Sequence, residues 1–139
     1  MAISGSRMFR QYRDLFIRRD SIMSDRRKIL IHRDRLIEVF DASLGGLRLP
    51  MRLRKRSGGL LAWRNIALRG RDQRDHDLVF YEDGLRRLPQ VVRQELLELD
   101  KRRILLNLNL SLLQHESIQL NRALIKIDAN TRIIESMAS

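Results

Sequence analysis

The chain contains no cysteine, which excludes disulfide bonds, cysteine-ligated zinc sites and thiol catalysis. It also lacks any uninterrupted apolar run of the roughly 18 residues that a membrane-spanning helix needs. Charged side chains interrupt the first 20 residues, from Arg7 to Asp20, so no signal-peptide core is expected there. We therefore expect a soluble, cytoplasmic protein that does not enter a membrane.

Acidic residues are too few to balance the basic ones. The chain has 28 Lys and Arg against 17 Asp and Glu, a formal net charge of +11. Residues 1–74 hold 19 basic and 7 acidic side chains, whereas residues 75–139 hold 9 basic and 10 acidic. Most of the basic residues are Arg, whose forked hydrogen bonds suit phosphates and carboxylates. We expect an acidic partner to meet the first half of the chain.

Glycine and proline are absent between Pro89 and Met137, where apolar residues recur at heptad spacing. The seam of these heptads runs through Val92, Leu96, Leu99, Arg103, Leu106, Leu110, Leu113, Ser117, Leu120, Leu124, Ile127, Thr131 and Ile134. This pattern predicts one helix over residues 89–137, which would be about 70 Å long. The rest of the chain is expected to pack against it.

A second helix is predicted over residues 7–42, where pairs of apolar residues recur every seven positions. Arg19, Arg26 and Arg33 are also seven residues apart, so they lie along one edge of the apolar stripe. They either pair with acidic side chains of the long helix, such as Glu116, or form a row that faces phosphates. Ion pairing is the more frequent role of such residues.

Residues 46–81, between the two helices, predict a basic β unit. Gly45 and Gly46 end the first helix, and we expect them to take the positive φ that helix ends favour. Apolar and basic residues then alternate over residues 47–54, which is typical of a strand. Pro50 lies in this run, and a proline within a strand favours the edge of a sheet.

The second part of the β unit begins with a glycine turn at residues 55–59 and a partner strand at residues 60–68. Residues 78–81 are a candidate third strand, closed by a turn at residues 82–84. The sequence thus predicts a mostly α protein with a small β unit. Two long antiparallel helices, a helical hairpin or coiled coil, are joined by a basic β-hairpin or three-stranded sheet. The whole chain is predicted to form a single elongated domain.

The long helix carries further apolar residues outside its seam, namely Ile104, Leu105, Leu108, Leu112, Ile118 and Ile125. A helix that is apolar on two faces needs two neighbours, and the first helix supplies only one of them. The second neighbour is either the β unit, near residues 104–112, or another copy of the chain. We favour a homodimer built through the long helices as a four-helix bundle.

The segment from Arg48 to Arg74 holds nine basic residues and a single acidic one, Asp72. This pattern predicts a nucleic-acid interface, in which Arg and Lys bind phosphates and Trp stacks on a base. The candidate nucleic-acid-binding residues are Arg48, Arg52, Arg54, Lys55, Arg56, Trp63, Arg64, Arg69 and Arg71. Three other roles stay open: a basic edge strand resists aggregation, the patch binds an acidic protein, and the lone Trp lies in a core.

The sequence predicts no catalytic site, no metal site and no cofactor. His32, His76 and His115 are scattered along the chain, without further ligands at the spacing of a helical metal site. The glycine-containing stretches lack the Lys-Ser/Thr pair that completes a phosphate-binding loop of the Walker type. We therefore expect a protein that is not an enzyme.

Two stretches, GGLLAWRN at residues 58–65 and the Leu-rich residues 97–128, resemble small uncharacterised proteins of integrating conjugative elements. The resemblance covers roughly the second half of the chain. It depends on Leu61, Trp63, Arg64, Asn65, Arg103, Ile104, Leu106, Asn107, Ser111, Leu112 and Leu113. It implies a setting in mobile DNA, near genes for replication, single-strand binding and transfer, which favours nucleic-acid handling over metabolism.

These observations favour a non-enzymatic, nucleic-acid-binding accessory protein of a mobile genetic element. It would act in replication, maintenance or transfer, and its Arg-rich β-hairpin would bind the phosphates of nucleic acid, with DNA the expected partner. The alternative is a coiled-coil adaptor or structural protein that docks a helical or acidic protein partner, such as a member of a conjugation or replication complex.

Overall fold

The computed structural model describes residues 8–66 and 75–138, which are mostly α-helical with one small antiparallel sheet. The elements are helix α1 (Tyr12–Ser43), strands β1 (Met51–Lys55), β2 (Leu61–Asn65) and β3 (Asp75–His76), a 3₁₀ turn (Leu78–Tyr81), helix α2 (Glu82–Arg86) and helix α3 (Gln90–Ser136). The predicted fold class is confirmed. Helix α1 begins at Tyr12, later than the predicted residue 7, and the other three ends of the long helices lie within one residue of the predicted bounds.

The chain divides into two compact units. The sheet unit comprises residues 28–110, and the terminal unit comprises residues 1–27 and 111–139. Each unit contains a segment of α1 and a segment of α3, with the early part of α1 grouped with the late part of α3. Within each unit, the segment of α1 packs against the segment of α3. The heptads run through both segments without a break, so the sequence does not mark the boundary.

The end of α1 depends on a close backbone approach. A Cβ atom on Gly45 would lie 2.3 Å from the carbonyl oxygen of Asp41, so only glycine fits there. Within the described residues, the glycines with positive φ are Gly58 and Gly59, at 91° and 87°. The expected positive φ at Gly45 and Gly46 is therefore wrong, and the left-handed positions lie in the hairpin turn instead.

The sheet has the strand order β1-β2-β3, which places β1 at an edge as predicted, although Pro50 lies directly before the strand rather than within it. Leu53 lies opposite Trp63, and Arg52 lies opposite Arg64. Because side chains alternate across a strand, the apolar residues of β1 share one face and its arginines share the other. Met51, Leu53 and Trp63 are fully buried, so the apolar face covers the core.

The predicted third strand at residues 78–81 is wrong, since these residues form a 3₁₀ turn. β3 instead lies at Asp75–His76, where it pairs with β2. Only Leu78 and Tyr81 face the core, whereas Val79 and Phe80 are 76% and 55% exposed. Residues three positions apart point to the same side in a helical turn. The segment therefore forms a turn that buries both residues, although its residue types prefer strands. The predicted turn at residues 82–84 belongs to helix α2.

The core of the sheet unit lies between the sheet and the two long helices. Its buried members are Leu36, Phe40, Leu44, Leu49, Met51, Leu53, Leu61, Trp63, Tyr81, Leu96, Leu99, Leu106 and Leu110. Phe40 packs edge-on against Trp63, with ring centroids 5.6 Å apart. The apolar seam residues of α3 in this unit therefore face the core, as the heptads predicted.

Asn107 joins α3 to the start of β2. Its Nδ2 donates to the carbonyl oxygen of Leu61 at 2.8 Å, and its Oδ1 accepts from the Leu61 backbone N–H at 2.9 Å. Both polar groups of one strand residue are thus satisfied by a single side chain.

Replacing Asn107 by Ala should lower the free energy of unfolding by about 1–3 kcal/mol, because the peptide groups of the buried Leu61 lose their partners. Asn109→Ala is the matched control, since Asn109 donates only to the Leu105 carbonyl of its own helix. Urea unfolding measures both values, and hydrogen exchange of the Leu61 amide reports the contact directly. Equal losses in the two variants would contradict the proposed role of Asn107.

The terminal unit has its own small core, formed by Leu15, Ile22, Leu120 and Leu124. Beside it, the Arg18 guanidinium donates to both carboxylate oxygens of Glu116, at 2.6 and 2.5 Å. This hydrogen-bonded pair lowers the pKa of Glu116 below its usual value, against the opposing effect of burial. Glu116 was among the acids expected to pair with α1, but its partner is Arg18 rather than a member of the Arg19 row.

The Arg18–Glu116 pair predicts a loss of stability in acid. Since the pKa of Glu116 is lower in the folded protein, its contribution is present above the unfolded value near 4.5 and is lost as pH falls through the folded value. Glu116→Gln should lower the free energy of unfolding at pH 7 by about 1 kcal/mol, because the pair is partly exposed and screened.

Urea unfolding of wild type and Glu116→Gln between pH 7 and pH 3 measures this contribution. The difference between the two proteins should shrink toward pH 3. Glu135→Gln, at an exposed position of the same helix, controls for the loss of one charge. A constant difference across the pH range would mean that the ion pair does not carry the effect.

The apolar residues of α3 outside the seam are exposed, from 43% for Ile118 to 68% for Ile125. In the sheet unit, Ile104, Leu105 and Leu108 are each at least half exposed, so the alternative in which the β unit covers them is wrong. No helix in the described part of the chain combines the length and apolar character needed to cross a lipid bilayer.

Candidate nucleic-acid interface

Residues 48–66, here called the basic hairpin, contain six basic side chains and no acidic one. Arg52, Arg54 and Arg64 lie on the sheet face opposite the core, with Arg52 and Arg64 directly across from each other. Antiparallel pairing therefore gathers charges that are 12 residues apart in the sequence. The predicted grouping of Arg residues on one face is what the strand register produces.

Arg52 is the least available of these arginines. Its guanidinium donates to the backbone carbonyls of Met51, Gly45 and Leu47 at 3.2–3.3 Å. It also lies 5.9 Å from the centre of the Phe40 ring. These contacts hold the loop after α1 against the edge strand. Arg52 therefore stabilises the fold, and its guanidinium is less available to a ligand.

Three other basic residues each have one carboxylate partner. Arg54 pairs with Asp41 at 3.2 Å, Lys55 pairs with Asp34 at 3.1 Å, and Arg64 pairs with Asp75 at 3.7 Å. The three basic side chains remain 40–50% exposed, and exposed pairs of this kind contribute little to stability. Such cations can exchange a carboxylate for a phosphate at low cost.

The partner of Lys55 is a firmly ionised carboxylate. Hydrogen bonds from Lys55 and from Arg33 lower the pKa of Asp34 below its usual value. Arg33 also donates to the Gly59 carbonyl at 3.0 Å, and its guanidinium would lie 3.1 Å from a Cβ at that position. Arg33 therefore holds the hairpin turn, and its row does not face phosphates at this point.

Arg48 and Arg56 are the freest cations of the basic hairpin. Both are exposed, and neither side chain has a hydrogen-bond or ion-pair partner within residues 8–66 and 75–138. They flank the two ends of β1. A ligand phosphate that reached them would not have to displace an existing partner.

Trp63 does not belong to the interface, so its predicted stacking on a base is wrong. Its ring has no exposed surface, and its Nε1–H donates to Asp100 Oδ1 at 2.8 Å. The same oxygen accepts from Arg103 Nε at 2.9 Å, and Arg103 also reaches Asp77. Because side chains alternate along β2, Trp63 points to the core. The seam residue Arg103 orients Asp100, the acceptor of the Trp63 hydrogen bond.

Two candidate residues, Arg69 and Arg71, lie outside the described residues, as do Asp72 and Arg74. Their predicted role stays a prediction.

The sequence did not reveal the acids that partly neutralise the hairpin. Asp72 is the only acid within residues 48–74 of the sequence, whereas the carboxylates that pair with the hairpin lie elsewhere in the chain. Asp34 and Asp41 lie seven residues apart, and so on one face of α1, which was the available signal. That face meets the hairpin in the folded chain.

The arrangement can bind phosphate groups through several exposed cations, and the aromatic residue of the basic hairpin, Trp63, is not available to stack on a base. No cluster of three or more His, Asp or Glu side chains suited to a metal ion occurs among the described residues. No protein-family model, curated protein or solved structure matches the chain, so these comparisons leave the resemblance to proteins of integrating conjugative elements as a prediction.

Proposed function

We propose that the chain is a non-enzymatic accessory protein that binds nucleic acid, with DNA as the expected partner. The observation that carries the proposal is the concentration of cations that reach solvent at the basic hairpin. These residues are Arg48, Arg54, Lys55, Arg56 and Arg64. A polyanion that neutralises several of them releases its own counterions, and this release drives sequence-independent binding.

The burial of Trp63 supports a specific binding mode. With that ring in the core, Trp63 cannot stack on a base, and the exposed guanidinium and ammonium groups of the hairpin are suited to binding phosphates. The protein should therefore cover or condense nucleic acid without selecting a sequence. Replication, maintenance or transfer of a mobile element, the setting that the resemblance implies, has need of such a protein.

Fluorescence anisotropy with labelled oligonucleotides of one length and several sequences tests this mode. Affinities should agree within about threefold across the sequences, because phosphate contacts carry no sequence information. Single-stranded and duplex forms are compared in the same buffer. A preference of a hundredfold or more for one sequence would contradict a phosphate-only interface.

The exposed residues of α3 support a second part of the proposal, a homodimer formed through the long helices. Ile104 and Leu108 are 50% and 51% exposed and lie one turn apart on the same helix face. A facing helix pair from another copy would cover them as in a four-helix bundle.

Sedimentation equilibrium should give a mass near twice that of one chain. The double change Ile104→Glu with Leu108→Glu should weaken dimerisation by about a hundredfold or more, since it buries charge in an apolar interface. Val79→Glu, at a more exposed apolar position outside α3, should leave the dimer intact. A monomer at all accessible concentrations would refute the dimer.

A further inference from the structure

A groove of about 500 Å³ lies between α1 and α3 within the sheet unit. Its apolar lining consists of Ile29, Leu36, Val39, Leu105 and Leu106. Leu36 and Leu106 belong to the core and form the floor, whereas Val39 and Leu105 are 43% and 59% exposed. The groove is thus an apolar surface that is continuous with the core and open to solvent.

The dimensions of the groove fit a helix. Along α1 the lining extends from Ile29 to Val39, a rise of about 15 Å at 1.5 Å per residue. That length matches about three turns of a ligand helix, which would present apolar anchors at positions i, i+3 or i+4, and i+7. Two parallel walls of helix side chains are the usual setting for such an occupant.

The charge around the groove is of one sign. Arg35 and Arg102 are its charged lining residues, one on each helix, and no acidic residue lines it. Both are exposed, and neither guanidinium has a side-chain partner in the described part of the chain. Carboxylates on both flanks of a bound helix could form ion pairs with these two arginines.

We propose that this groove binds an amphipathic helix of a partner protein, whose apolar stripe is flanked by Asp or Glu. A second copy of the chain is the poorer occupant, because a two-fold contact through this groove brings the same two arginines of each copy together. The proposal concerns residues outside the basic hairpin, so it stands or falls independently of nucleic-acid binding.

The test uses a designed, fluorescein-labelled helical peptide of about four turns, with Leu at i, i+3, i+4 and i+7 and Glu on both flanks. Its charge-swapped counterpart carries Lys in place of each Glu. Anisotropy with the full-length protein should show the Glu peptide binding at least about tenfold more tightly than the Lys peptide. The double change Arg35→Glu with Arg102→Glu should reverse that preference.

Leu105→Glu tests the apolar wall and should weaken binding of the Glu peptide by about tenfold or more. Leu97→Glu is the matched control, since Leu97 is also exposed on α3 within the sheet unit but does not line the groove. Circular dichroism of both variants checks that they fold.

Three results would overturn the proposal. These are failure of the Glu peptide to bind, equally tight binding of the Lys peptide, and equal weakening of peptide binding by Leu105→Glu and Leu97→Glu. A fourth result also overturns it: unlabelled protein displaces the peptide, and Leu105→Glu abolishes self-association. The groove would then be an interface between two copies.

Discussion

Replacing Trp63 by Ala should lower the free energy of unfolding by about 3–5 kcal/mol, because the largest buried ring of the core leaves a cavity behind. The change removes the contact with Phe40 and leaves Asp100 without one of its donors. Domains of this size are commonly stable by only about 5–15 kcal/mol, so the loss is a large fraction of the total. Urea unfolding followed by far-ultraviolet circular dichroism measures it.

Trp63→Phe keeps the protein measurable if the Ala variant does not fold. It retains an aromatic ring but loses the Nε1–H donor, so we expect a smaller loss of about 1–3 kcal/mol. Because Trp63 is the only Trp, wild-type fluorescence gives a second readout. Its emission should be that of a buried indole and should resist quenching by acrylamide. Stability unchanged by Trp63→Ala would contradict the assigned core position.

Reversing the two unpaired charges of the basic hairpin should nearly abolish nucleic-acid binding. The variant Arg48→Glu with Arg56→Glu removes two phosphate contacts and adds two repulsions, and at about 1.5–3 kcal/mol for each charged hydrogen bond the affinity should fall at least about a hundredfold. Since both side chains are exposed and have no partner within residues 8–66 and 75–138, the fold should be unaffected.

The control for this variant is Arg27→Glu with Arg122→Glu. These two arginines are exposed, lie outside the basic hairpin and give the same change in net charge. If affinity depends on the whole-protein charge, the two variants will lose it equally. A clear difference between them, with equal unfolding midpoints, would locate binding at the hairpin.

The architecture could be predicted because it follows from periodicity. Heptads between Val92 and Leu124 predicted the buried face of α3, and alternation around Leu53 predicted an edge strand with an apolar and a basic face. Both patterns reflect the local geometry of a helix or a strand, which does not depend on the position of the rest of the chain. Beyond Leu124 the seam residues Ile127 and Ile134 are exposed, since a heptad reveals a preference for burial but not whether a partner is present.

The candidate site was harder to predict because it depends on the register and on neighbours that are distant in sequence. The side on which Trp63 lies was ambiguous, since both phases of the second strand carry apolar residues. The Asn107 contact with Leu61 bridges 46 residues, and the pairing of Lys55 with Asp34 requires a helix face to meet the hairpin. No local pattern contains such information.

The segment at Leu78–Tyr81 shows a different kind of error. Its residue types prefer strands, and the prediction followed that preference. In the folded chain only its first and last residues reach the core, so a helical turn buries more than an extended segment would. For a run of four residues, tertiary contacts outweigh intrinsic preference.

The most direct test of the central claim is the salt dependence of binding by the unmodified protein. Labelled single-stranded and duplex DNA are titrated by anisotropy from about 50 to 300 mM salt, a range in which phosphate contacts are resolved. The account predicts that log K falls linearly with log salt, with a slope near −0.9 per phosphate on duplex DNA and a total near −4 to −5 for the five exposed cations. Binding that is absent at 50 mM salt, or that is independent of salt, would contradict it.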